Sequence, residues 1–349
     1  MSDILLFVLV AGGLILGHEL GHFLMARLRR VRVEEFGIGF PPRLAKLGEV
    51  GGTKITLNWI PFGGFVRPAG EDDPTVPDGL AAASKTTRAL VLVAGPAMNL
   101  LLGFLAFTAA FKFAAPDLER VQITSVLPGS PAEAAGILPG DIVLTVDDHS
   151  ITSFESMQQA IGERLGLTSR ITLQREGETL IVEITPRASP PEGEGPIGVL
   201  LGNPTRAMGL AEAASLGGQS TVYQLVETVR LPSRLIRGQV PPEEARVSGL
   251  KGIYDILAWA SDIDATTRRP FLTLQFVGVI SVGLALANLL PIPALDGGRL
   301  MFVAFEAVFR RRVSARYEGL AHAIGFTVLL TLMVYVTFQD FVNPLTLPR

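Results

Sequence analysis

The chain has 349 residues and a formal net charge of −3, so nothing in its charge points to nucleic acid, and it has no polybasic tail. It contains no cysteine, which excludes a disulfide framework and thiolate chemistry; any metal must be held by histidine and carboxylate. Mean hydropathy is +0.40, high for a soluble protein, and the apolar residues gather into runs.

The first run, residues 4–28, is long enough to cross a hydrocarbon core of ~30 Å as a helix. With no basic leader and no A-x-A-like site after it, it reads as a retained span. HELGH, residues 18–22, lies inside it. On a helix His18 and His22 share a face, and Glu19 stands about 100° round from His18. H-E-x-x-H is a zinc-protease pattern, two imidazoles for the metal and a glutamate for its water. Ionisable groups within a span mark functional sites, although a polar helix–helix contact is the alternative.

Residues 29–89 combine basic side chains with β-like stretches. TKITLNW alternates polar and apolar, EVGGTK reads as a turn, and IPFGGFV is apolar for a loop. A re-entrant loop dipping toward the bilayer accounts for this; such backbone survives at membrane depth only where protein or a wet cavity satisfies it. A small cytoplasmic β-domain stays open as the alternative. The second span is expected at 90–115.

Residues 117–202 read as a separate α+β domain. VQITSV is a strand, SPAEAAG a short helix, DIVLTVDDHSI two strands, SMQQAIGERLG a helix and RITLQREGETLIVEI a hairpin. With GSPAEAAGILPGD as its most specific piece, this order resembles a PDZ domain of the bacterial, circularly permuted type. GPIGVL at 195–200 then supplies the strand and loop that receive a peptide carboxy-terminus, or else is an ordinary edge strand.

Residues 203–268 are helical and amphipathic, with Val222, Leu225, Val226 and Val229 on one face. The third span is expected at 269–298 and ends in NLLPIPALDGGR. Pro291 and Pro293 must break the helix. Asp296 is the only carboxylate near that end, and spacing alone leaves it two roles, third metal ligand or cap of the next helix. A connector at 299–319 carries the RRR at 310–312, a fourth span follows at 320–340, and 341–349 form a tail. His149 reads as a turn residue and His322 as a surface or interface residue, with a place lining the bundle as the alternative.

The basic loops after the first span and before the fourth place both on the cytoplasmic side. Both termini and the α+β domain are then extracytoplasmic. His18, roughly 21 Å along its helix, falls on the cytoplasmic half, as does Asp296. The expected fold is a polytopic α-helical membrane protein of about four transmembrane helices, with a re-entrant β-loop and an inserted extracytoplasmic PDZ domain.

HELGH in the first span, GPAMN at 95–99 in the second, the external PDZ-like domain and NLLPIPALDGGR after the third together resemble the site-2 protease family, over nearly the whole chain. The resemblance implies an intramembrane zinc metalloendopeptidase of a bacterial inner membrane. It implies one Zn²⁺ held by His18, His22 and Asp296, with Glu19 as general base. It implies that Asn288, and the re-entrant stretch containing Gly37, Gly39 and Phe40, hold substrate. The implied partners are single-span membrane proteins already trimmed outside the membrane, such as anti-sigma factors or remnant signal peptides, and membrane lipid. A catalytically dead adaptor predicts a broken motif, and a zinc transporter wants several ligand sets along a path; the sequence shows neither.

Overall fold

The computed structural model describes residues 2–191, 193–239, 248–267, 269–345 and 347. The elements in chain order are α1 (Asp3–Leu28), β1 (Val33–Val50), β2 (Thr53–Pro68), α2 (Lys85–Ala114), β3 (Val121–Val126), α3 (Pro131–Ala134), β4 (Ile142–Val146), β5 (His149–Ser150) and α4 (Phe154–Gly162). Then come β6 (Ser169–Arg175), β7 (Glu178–Ile184), β8 (Val199–Gly202), α5 (Leu210–Ile236), α6 (Leu250–Thr267), α7 (Phe271–Leu289), α8 (Asp296–Phe309) and α9 (Ala315–Val342). They form two units: 1–109, 211–262 and 272–349 make the first, 110–210 and 263–271 the second.

Among the described residues, α1, α2, α7 and α9 are the helices long and apolar enough to cross a membrane. Their burial follows from that environment. In α1 the buried residues are Leu14, His18, Gly21, His22 and Ala26, a single stripe at helical spacing. Gly12, Ile15 and Glu19 face β2, and the outward residues Leu5, Leu9, Leu20, Leu24 and Leu28 are apolar, as in a helix whose solvent is hydrocarbon. Small residues let the backbones touch: a Cβ on Gly21 would lie 2.3 Å from the Ala94 carbonyl of α2. In α7 the buried residues Gly278, Ser281, Val282 and Ala285 repeat the stripe. Ser281 donates to the Asn99 carbonyl at 2.7 Å, so close packing and an interhelical hydrogen bond join α7 to α2.

The third helix ends earlier than the expected 269–298. α7 stops at Leu289 because Pro291 and Pro293 offer no backbone N–H. Asp296 opens α8 instead of closing α7, and much of the expected connector is that helix.

β1 and β2 fold back on themselves. Phe36 lies opposite both Val66 and Ile55, and Gly37 opposite both Phe65 and Thr56. The first part of β1 is therefore interior to the sheet, and residues 64–68 form the edge beside α1.

The second unit carries an antiparallel sheet in the order β7-β6-β4-β3-β8, with β5 on β4. Inward residues such as Val121, Ile123, Val143, Val146, Ile171 and Leu173 form its core with Met157 and Ile161 of α4. The expected order of strands and helices in 117–202 is the one found.

Candidate metal centre

Three ligand atoms from elements distant in sequence converge. His18 Nε2 lies 3.0 Å from Asp296 Oδ2, His22 Nε2 lies 3.2 Å from it, and the two imidazole nitrogens are 3.0 Å apart. Both histidines are buried. Ligand atoms of a tetrahedral zinc site with bonds of ~2.0–2.1 Å stand about 3.3 Å apart, close to this triangle. Asp296 Oδ2 is buried and within reach of both rings, yet takes no aligned hydrogen bond. A cation among the three atoms satisfies all of them, and among the described residues this is the one such group. The donor set, two nitrogens and one oxygen, suits zinc.

The outer atoms of the rings fix which nitrogen faces inward. His22 Nδ1 donates to the Val91 carbonyl of α2 at 2.7 Å, leaving the Nε2 lone pair for the centre. His18 Nδ1 meets the side-chain amide of Asn99 at 3.4 Å, and Asn99 Oδ1 is buried without a partner. With the amide turned so that Oδ1 accepts from His18 Nδ1–H, both needs are met, and Nε2 of His18 also points inward. α2 comes this close because residue 95 is glycine: a Cβ there would lie 2.3 Å from His22 Nε2 and 2.8 Å from His18 Cε1.

The turn into α8 places Asp296. Cβ atoms on Gly297 and Gly298 would lie 2.3 Å from the Leu289 and Ile292 carbonyls, so only glycine lets the chain fold back this tightly after the prolines.

Glu19 lines the same cavity of about 290 Å³, together with the three ligands, Asn288 and the 65–68 edge of β2. Glu19 Oε2 accepts from the Val66 N–H at 2.9 Å. Of the residues expected from the sequence, His18, Glu19, His22, Asn288 and Asp296 come together. Gly37, Gly39 and Phe40 do not line the cavity. Gly37 is paired on both sides, Gly39 accepts from the Asn58 side chain at 3.1 Å, and Phe40 lies opposite Ile60. Residues 64–68, not Gly37, form the sheet edge that borders the cavity. Asn99, Gly95 and Val66 carry no site signal of their own in the sequence; GPAMN is visible as a motif, but nothing in it assigns a partner.

The second unit has a groove of about 550 Å³ between α4 and the edge strand β8, lined by Phe154, Met157, Ile161, Val199, Leu200 and Leu201.

The chain matches the family model described as peptidase family M50 over residues 6–332. A protein of Clostridium perfringens named "putative zinc metalloprotease" is 32% identical, over 98% of this chain and 99% of its own. One of the same description from Campylobacter jejuni is 32% identical over 97% and 93%. The metalloprotease MmpA of Caulobacter vibrioides is 30% identical over 96% and 94%. Among solved structures, an HtrA-type protease with a decapeptide matches 26% of this chain and 28% of its own, at 25% identity and a TM-score of 0.21.

Proposed function

The chain belongs to peptidase family M50, the site-2 protease family, and from that premise we propose that it is a zinc-dependent protease that cuts peptide bonds within membrane-spanning segments. The observation that carries this reading is the convergence of His18, His22 and Asp296 beside Glu19, with both histidines and the glutamate on a helix long and apolar enough to cross a membrane. His18, His22 and Asp296 would hold the zinc, which when bound would supply Lewis-acid chemistry for a carbonyl and a water. Glu19 takes the proton of the attacking water and hands it to the leaving amine. Its Oε2 accepts from the Val66 N–H, which holds the carboxylate in the wall of the cavity.

A helical substrate hides its carbonyls in its own hydrogen bonds, so it must unwind before it is cut. The edge of β2 at 64–68 offers backbone groups for strand addition, which holds the unwound stretch extended past Glu19. Asn288, on the cavity wall, hydrogen-bonds that backbone. In this reading residues 117–202 are a PDZ domain, and the groove between α4 and β8 takes a peptide carboxy-terminus as an added strand. The substrates are single-span proteins trimmed outside the membrane, anti-sigma factors or remnant signal peptides, and the site opens toward the cytoplasmic side of a bacterial inner membrane.

The test is the position of the cut. A single-span reporter reconstituted with the protein should give new termini, identified by mass spectrometry, inside the hydrophobic segment. Termini confined to its flanking loops would contradict intramembrane cleavage.

A further inference from the structure

His322 lies on α9, touches none of the metal ligands, and has no part in the chemistry above. It is half-buried where α9 meets α8 and the loop before it. Its Nδ1 accepts a hydrogen bond from the backbone N–H of Ala294 at 2.8 Å. Ala294 stands two residues before Asp296 and has φ +83°, in the region that glycine tolerates and a Cβ disfavours. Such a conformation persists only where its surroundings determine it.

α8 and α9 supply those surroundings. Gly325, one turn beyond His322, brings the α9 backbone against the loop: a Cβ there would lie 2.2 Å from the Pro293 carbonyl. Phe302 of α8 meets the His322 ring edge to face at 5.6 Å between centroids, which fixes the plane of the imidazole. An accepting Nδ1 in a neutral ring puts the proton on Nε2. That Nε2 is buried, with no hydrogen-bond partner among the described residues. An unsatisfied buried N–H disfavours keeping a histidine here for packing alone. What the ring supplies is its acceptor.

We propose that His322 is a positioning residue for the metal centre. It holds the left-handed turn at Ala294, and that turn holds Asp296 Oδ2 within 3.2 Å of both imidazoles. The inference rests on the reading of His18, His22 and Asp296 as a zinc site.

Asparagine and glutamine separate the acceptor from the polarity. Asn Oδ1 occupies the place of Nδ1, whereas Gln Oε1 reaches the place of Nε2. Full-length wild type, His322→Asn, His322→Gln and His322→Leu are compared by competition for zinc with a fluorescent chelator. Melting of the metal-free proteins is the control for folding. His322→Asn should stay within a few-fold of wild type, while His322→Gln and His322→Leu should bind zinc about 10–100-fold more weakly. Equal affinity in all four proteins overturns the proposal, and so does equal weakening in all three variants. If His322→Leu does not fold, the asparagine–glutamine pair decides alone. A wild type that binds no zinc removes the metal-centre reading itself; a wild type that binds, beside variants that do not separate, removes only the role of His322.

Discussion

At Gly95 one hydrogen atom decides whether two imidazoles can face one point. An alanine Cβ would sit 2.3 Å from His22 Nε2 and 2.8 Å from His18 Cε1, so it would push both rings off the centre. Gly95→Ala should therefore abolish zinc binding at concentrations that saturate the wild type, although alanine favours a helix over glycine by about 1 kcal/mol. Metal analysis after gel filtration reads the outcome. A different residue-scale test concerns the second unit. The Asp141 carboxylate is buried, and burial alone would raise its pKa. The bidentate Arg175 guanidinium, at 2.7 Å to both oxygens, and the Leu138 N–H outweigh burial and hold the pKa below the ordinary aspartate value. A depressed folded pKa means stability that is present above the unfolded value and lost as pH falls toward the folded one. Asp141→Asn should destabilise this unit by about 3 kcal/mol near neutral pH, at the low end for breaking a buried pair because Arg175 is partly exposed. The loss should shrink as pH drops below about 4. Hydrogen exchange at β3 and β4 in the full-length protein measures it. At this scale the sequence was legible where chemistry is rare: two histidines and a glutamate in an apolar run mark a place to look, and the fold brings Asp296 to it. Asn99, Gly95 and His322 were not legible, because each acts through a neighbour more than 25 residues away that spacing cannot supply.

β2 carries the prediction at the scale of elements. The N–H of Val66 points away from β1 toward Glu19, so a proline there leaves the ladder to β1 intact. Val66→Pro should retain zinc and lose cleavage by 10-fold or more, because Glu19 loses the N–H that tethers it beside the strand edge. Unchanged cleavage would show that Glu19 acts without the Val66 tether. The alternation in TKITLNW and the turn at EVGGTK were enough to read strands, but not their pairing. Register depends on where the chain doubles back, and β1 meets both halves of β2. The same limit applied to the third helix. The prolines announced its end, yet the closing backbone at Gly297 and Gly298 set the start of α8 at Asp296. In residues 117–202 local signals sufficed. Ser130 and Ser153 cap α3 and α4, and glycine-bearing turns separate the strands.

For the whole molecule, hydropathy carried most of the reading: the four apolar runs are four long helices, because a span of ~30 Å demands about twenty apolar residues whatever the fold around it. Orientation rests on loop charge and is open to test in a chain without cysteine. A single Lys46→Cys, exposed in β1, should resist a membrane-impermeant thiol reagent in intact cells, and Glu183→Cys, exposed in β7, should be labelled. The reverse pattern would invert the topology. The central claim is that His18, His22 and Asp296 hold zinc for Glu19 to use. It is tested most directly by measuring cleavage of a single-span reporter in liposomes beside metal content, for the wild type and Glu19→Gln. The account predicts equal zinc in both proteins and cleavage by the wild type alone; full cleavage by Glu19→Gln would contradict it.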